Sequence, residues 1–192
     1  MSKDLRSLRT VVVLVEDRPG VLNRVASLFR RRAFNIESLT VGRTEAPGVS
    51  RMTIVVNTDD AGARRLEAHL YKLVNVLKID DLTNEAAVSR DLAMIKVSAT
   101  VESRSRVIEL VNVFRARVLD VSLESMIIEC TGTEEKIDRL VEMLAPYGVI
   151  EMARTGRLSM ARGGQALETH LVTSSTGAAA DTPEDDAVSY SV

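Results

Sequence analysis

The sequence is poor in the residues that reactive chemistry needs. It has one cysteine, Cys130, in 192 residues. A single thiol excludes an internal disulfide and fits a reducing compartment. One cysteine and two histidines do not make a zinc pattern. The phosphate-binding loops GxGxxG and GxxxxGK followed by Ser or Thr are both absent. His69 falls on an amphipathic helical pattern, His170 has no evident partner, and Cys130 lies in an apolar run that suits a small core residue. No Ser/His/Asp or Cys/His arrangement suggests itself, and no carboxylate pair stands out as an acid/base couple.

Aromatic residues are scarce as well, at 3% of the chain. The strand-like stretches VSRMTIVVN and SMIIECTG carry none. Base stacking needs aromatics on such strands, so RNA recognition is disfavoured. Charge is close to balanced, with a formal net of −2. No Lys or Arg occurs from Gly163 onward, where five acids lie, so the first 162 residues carry a small positive surplus. That bias is too weak to point to nucleic acid, and Arg30-Arg31-Arg32 suits a solvated helix end. The opening MSKDLRSLRT has no apolar core of a secretory signal, and the longest apolar runs are strand-length. A cytoplasmic protein that engages no membrane is expected.

What is present is globular: 45% apolar and 27% charged residues. TVVVLV (10–15) reads as a buried strand. Val21, Leu22, Val25, Leu28 and Phe29 recur at helical spacing, and Pro19 suits the first helical position. FNIESLTVGR (34–43) and VSRMTIVVN (49–57) read as a hairpin around Glu-Ala-Pro-Gly. Thr58-Asp59-Asp60 offers a cap for a helix with the stripe Ala63, Leu66, Leu70 and Leu73, and NVLKIDDL (75–82) closes the unit. The order is βαββαβ. It recurs: strand 93–101, a helix striped by Val107, Leu110, Val111 and Phe114, a hairpin over 116–122 and 124–132, a helix capped by Thr133, and a strand over 148–154. The fold class is α+β, with two ferredoxin-like βαββαβ units, each a four-stranded antiparallel sheet with two helices on one face. Each unit leaves one sheet face bare, and a bare apolar face usually ends in an interface. The expected boundaries are 8–83, a polar linker 84–92, a second unit 93–162, and a disordered acidic tail 163–192.

The stretch Glu16-Asp17-Arg18-Pro19-Gly20 joins the first strand to the first helix. The first N–H groups of a helix lack internal partners and suit a small anion such as a carboxylate. Gly20 lets a ligand approach the backbone, and Asp17 could face an ammonium. The turn thus suits a free amino acid. From residue chemistry alone a tight strand-to-helix connection is the favoured reading, since such turns are common.

The unit that opens with EDRPGVLNRVASLF resembles an ACT domain, a regulatory module that binds amino acids. FNIESLTVGRTEAPGVSRMTIVV, LYKLVNVLKIDDLT and DLAMIKVSA are similar to the small regulatory subunits of acetohydroxyacid synthase, also called acetolactate synthase. The resemblance runs from about Leu8 to Arg162. It implies an N-terminal ACT domain, a C-terminal ferredoxin-like domain, and a homodimer formed through the ACT domains. It implies valine, or another branched-chain amino acid, bound at their interface. It also implies a separate catalytic subunit, which the chain activates and makes sensitive to feedback inhibition. Thiamine diphosphate, magnesium and FAD are expected on that subunit and not on this chain, which lacks the GDG signature of thiamine diphosphate enzymes. The effector residues implied by the resemblance are Asp17, Gly20, Val21, Leu22, Asn35 and Ile36. Val21 and Leu22 are expected to offer backbone N–H groups, and Ile36 to line an apolar pocket. Relatives often carry Asn where this chain has Asp17, and the added charge could favour an ammonium or repel a carboxylate. A free-standing ACT sensor controlling another enzyme or a transcription factor is the alternative. A second effector site at Thr100-Val101-Glu102-Ser103-Arg104 has little support, because that turn has no DRPG-like sequence.

Overall fold

A computed structural model describes residues 7–164. Strand β1 (Ser7–Glu16) leads into helix α1 (Val21–Arg31), followed by β2 (Ile36–Arg43), β3 (Val49–Thr58), α2 (Asp60–Leu70) and β4 (Val76–Asp81). These strands form one antiparallel sheet in the order β2-β3-β1-β4. The second unit runs β5 (Ala87–Ser98), α3 (Arg104–Val113), β6 (Arg117–Val121), β7 (Ser125–Gly132), α4 (Glu134–Leu144) and β8 (Val149–Arg154). Its sheet order, β6-β7-β5-β8, repeats the first. The two ferredoxin-like units expected from the pattern are therefore present.

Each unit has its own core, set by the alternation of side chains along its central strands. Val11, Val13 and Val15 of β1 and Met52, Ile54 and Val56 of β3 pack against Val25, Phe29, Leu66 and Leu70 from the helices. Ala93, Ile95 and Val97 of β5 and Met126, Ile128 and Cys130 of β7 do the same against Val107, Ile137 and Leu140. Phe34, just before β2, meets Phe29 edge-on at 6.2 Å between ring centres. Both second helices are capped as expected: Asp59 accepts from the Gly62 N–H at 2.6 Å, and Thr133 accepts from Lys136.

Three expectations need correction. Pro19 is not the first helical residue; α1 opens at Val21, and Gly20 caps it with φ +84°. The polar segment 84–92 is only in part a linker, because β5 begins at Ala87 and runs unbroken into the second sheet. The second unit also extends past its β8 strand. A further strand, β9 (Leu158–Ala161), pairs antiparallel with Ala87–Arg90. The mixed sequence AVSRDL hides a strand because only its far half is a buried central strand. The tail assigned to 163–192, including His170, lies from residue 165 onward outside the described residues.

The short ribbon of β9 and the start of β5 explains how the bare face of the first sheet is covered. Val12, Leu14, Thr53 and Val55 point away from the helices, yet all are buried. Over that face the Arg157 backbone N–H donates to Ser38 Oγ at 2.8 Å, and the Arg51 guanidinium donates to the Ser159 carbonyl. The ribbon is closed on itself by Ser89 and Ser159, whose hydroxyls lie 2.7 Å apart, and by the Arg162 N–H on the Ala86 carbonyl. The corresponding face of the second sheet stays open, with Met94 exposed upon it.

Gly62 tests how tightly the second helix is capped. A Cβ there would lie 2.0 Å from Thr58 Oγ1 and 2.8 Å from the capping Asp59 Oδ1. Glycine-to-alanine changes inside helices normally add about 1 kcal/mol of stability. Here Gly62→Ala is expected to lower stability instead, by about 1 kcal/mol through loss of the cap, as read by urea denaturation. A gain would mean that the cap relaxes without cost.

Candidate effector-binding turn

The β1–α1 connection is built by backbone hydrogen bonds. The Glu16 N–H donates to the Asn75 carbonyl, the Asp17 N–H to Gly48, and the Arg24 N–H to Gly20. Gly20 takes φ +84°, a region that side chains with a Cβ rarely adopt, and nothing lies within 4 Å of where a Cβ would stand. The backbone turn thus favours glycine here, while the space beside it is open. The Val21 N–H is already directed to the Arg18 carbonyl at 3.3 Å. The N–H groups of Leu22 and Asn23 have no partner among the described residues. They are the pair left to meet an anion at the start of an eleven-residue helix. The Leu22 side chain is exposed beside them and that of Val21 is buried.

Asp17 is not an isolated charge. Its Oδ2 lies 3.3 Å from Nε of Arg43, at the end of β2. The cation offsets its negative charge. Sequence reasoning missed a second network beneath it: Arg24 Nη1 donates to Asn75 Oδ1 at 2.7 Å, and Asn75 Nδ2 donates to Glu16 Oε2 at 2.6 Å. Asn75 is buried and ties α1 to the ends of β1 and β4. Its position in the run VNVLK gives no local sign of this, because its partners lie far along the chain.

Asn35 and Ile36 stand elsewhere. Asn35 is exposed, just before β2, and its Nδ2 donates to Glu37 Oε1 at 2.7 Å. Ile36 is half-buried against the core. The register measures the separation. On β3, Val49 and Ser50 pair with Glu16 and Arg43, while Val56 pairs with Ile36. At about 3.3 Å per residue, the two groups lie about 20 Å apart along the strands. One chain therefore holds Asp17, Gly20, Val21 and Leu22 at one end of the sheet and Asn35 and Ile36 at the other.

The second unit has the equivalent turn, and it is filled from within. Ile95 stands where Val13 stands in the first unit, Val107 where Val25 stands, and Arg104 where Leu22 stands. Arg104 Nη2 donates to the carbonyls of Ala99, Ser122 and Leu123 at 2.7–3.1 Å. A cation of the chain itself thus occupies this corner and ties it to the β6–β7 connection.

Cys130 is buried in the second core, and burial pushes its thiol up, away from the thiolate form. His69 is half-buried, with a ring nitrogen against the Arg65 carbonyl. Among the described residues no group of three His, Cys, Asp or Glu side chains could hold a metal ion, and no helix is long and apolar enough to cross a membrane.

Comparison with known proteins supplies the family. Residues 11–78 match the family model for the AHAS small subunit-like ACT domain, and residues 90–163 match that for the small subunit of acetolactate synthase. The chain is 52% identical over 158 residues to an acetolactate synthase small subunit from Mycolicibacterium smegmatis, covering 82% of this chain and 93% of that one. It is 45% identical over 158 residues to the one from Bacillus subtilis, covering 82% and 92%. The crystal structure of an acetolactate synthase small subunit from Thermotoga maritima superposes with a TM-score of 0.77 at 41% identity, over 83% of this chain and 99% of that one. The chain, with its ACT unit and its filled second turn, belongs to the acetolactate synthase small-subunit family.

Proposed function

We propose that the chain is the regulatory, non-catalytic subunit of a cytoplasmic acetolactate synthase. It binds a separate catalytic subunit, raises its activity, and makes it sensitive to feedback inhibition by a branched-chain amino acid, valine in the first instance. Thiamine diphosphate, magnesium and FAD belong to the catalytic partner in this reading, and no bond-making step falls to this chain. A free-standing sensor would share the amino-acid site but form no complex with an acetolactate synthase catalytic subunit.

The observation that carries the reading is the separation of the implied effector residues to opposite ends of one sheet. A single ligand can meet both groups only if a second copy supplies one of them. The β2 strand is an edge. If two β2 edges run antiparallel across a two-fold axis, the Asn35 end of one lies beside the Arg43 end of the other. Arg43 pairs with Asp17, so that corner also carries the Gly20 turn. The effector carboxylate then meets the Leu22 and Asn23 N–H groups, its ammonium faces Asp17, and its side chain fills the seam beside Asn35 and Ile36 of the partner subunit. A ligand shifts an equilibrium only by its differential affinity for two states. Valine must therefore favour the dimer arrangement that holds the catalytic subunit less active. Such couplings are typically about 1–3 kcal/mol.

Two measurements test this. Gly20→Asp keeps a residue type that tolerates positive φ, in open space, and sets a carboxylate against that of the effector. The variant should activate the catalytic subunit normally while valine inhibition weakens at least tenfold. Unchanged inhibition would remove the turn from the site. Second, Gly20→Asp and Asn35→Ala chains, each insensitive as homodimers, should regain one intact site when co-expressed and purified as the mixed dimer through two different tags. Calorimetry should then find half the valine sites of the unsubstituted dimer. If both residues served one ligand within a single chain, the mixed dimer would bind none.

A further inference from the structure

The seam between the two units combines buried apolar side chains with polar groups that are incompletely satisfied. Gly156 lies flush on β2: a Cβ there would stand 2.6 Å from Ser38 Oγ, 2.7 Å from Thr40 Oγ1 and 2.9 Å from the Leu39 carbonyl. The last neighbour is backbone and cannot turn aside. The next residue, Arg157, reaches three elements at once. Its backbone N–H donates to Ser38 of β2, its Nη1 to Thr10 Oγ1 of β1 at 3.2 Å, and its Nη2 to Glu134 Oε2 of α4 at 2.8 Å. The α4 contact falls in the first turn of that helix, where the Glu134 carboxylate also favours the dipole.

Strands β1 and β2 are the two that end in the proposed effector groups, the Gly20 turn and Asn35. On the same face the hydroxyls of Thr40 and Thr53 and the Nε of Arg51 are buried without a hydrogen-bond partner. Burial also lowers the pKa of Arg51, partly offset by Asp80 and Glu45. Buried polar groups without partners cost free energy. A seam that contains several has a physical reason to favour a second arrangement in which those groups find partners.

We propose that Gly156 and Arg157 are positioning residues that carry the effector state of the ACT sheet to the C-terminal unit, with Gly156 fixing the register of the seam and Arg157 linking β1 and β2 to α4. The proposal rests on the effector reading above, and its test separates the two. The full chain is used, alone and reconstituted with the catalytic subunit, unsubstituted and as Gly156→Ala, Arg157→Gln and Arg157→Lys. Calorimetry measures valine binding, acetolactate formation measures inhibition, and hydrogen exchange without valine reports on the seam.

Gly156→Ala and Arg157→Gln should bind valine within about threefold of the unsubstituted chain, yet lose at least fivefold of the maximal inhibition, with Arg157→Lys intermediate. Without valine, both should speed exchange in β2 and in the first turn of α4 together. Variants that bind and inhibit normally overturn the proposal, as does loss of binding and inhibition in parallel. Faster exchange confined to the neighbours of the substituted residue overturns it too. An unsubstituted chain that binds no valine sinks the effector reading alone, and the exchange measurement then decides whether the seam links the units.

Discussion

Val12, Leu14 and Val55 point away from the helices of the first unit and still have to be kept from water. Burying such side chains contributes about 1.5–3 kcal/mol each relative to exposure, a large share of the stability of a small domain. A lone βαββαβ unit has nothing with which to cover that face. Here the cover is borrowed from the second unit. β5 begins beneath the ACT sheet, pairs with β9 there, and continues as the central strand of the other sheet. One strand thus serves two layers, and the units cannot part without stripping that face.

The same constraint explains what could and could not be read from sequence. Met52, Ile54 and Val56 alternate with polar residues and announce β3 directly. Leu66 and Leu70 announce α2 in the same way, and Asp59 and Thr133 mark the starts of two helices. These signals are local. The ribbon is not, because LSMA is too short to show a period and AVSRDL looks like a linker. Ser89 and Ser159 face each other, and without the pairing that joins them neither reads as part of a sheet. Gly20 was legible as a glycine of the strand-to-helix turn, but its positive φ, and the start of the helix at Val21, depend on how the chain turns and not on residue spacing.

The candidate site divides along the same line. Its residue types were visible from a family resemblance, and their distribution over the sheet was not. Asp17 looked like an unbalanced charge until β2 brought Arg43 against it. Asn75 and Arg24 gave no sign at all, since their value lies in contacts between the helix and the ends of two strands. The filled turn of the second unit shows the converse. Arg104 reads as an ordinary helix-start cation, and only the fold reveals that it closes the position equivalent to the open turn.

The division of the proposed effector groups between opposite ends of the sheet has a thermodynamic consequence. A binding site that exists only in the paired state makes ligand binding and self-association two readings of one equilibrium. If the site is shared between two copies as proposed, the amino acid tightens the dimer by the same factor by which dimerisation tightens its own binding. Under that proposal dilution would weaken the affinity for the amino acid, and a cell that made more of this chain would respond to less of it with no change in any contact.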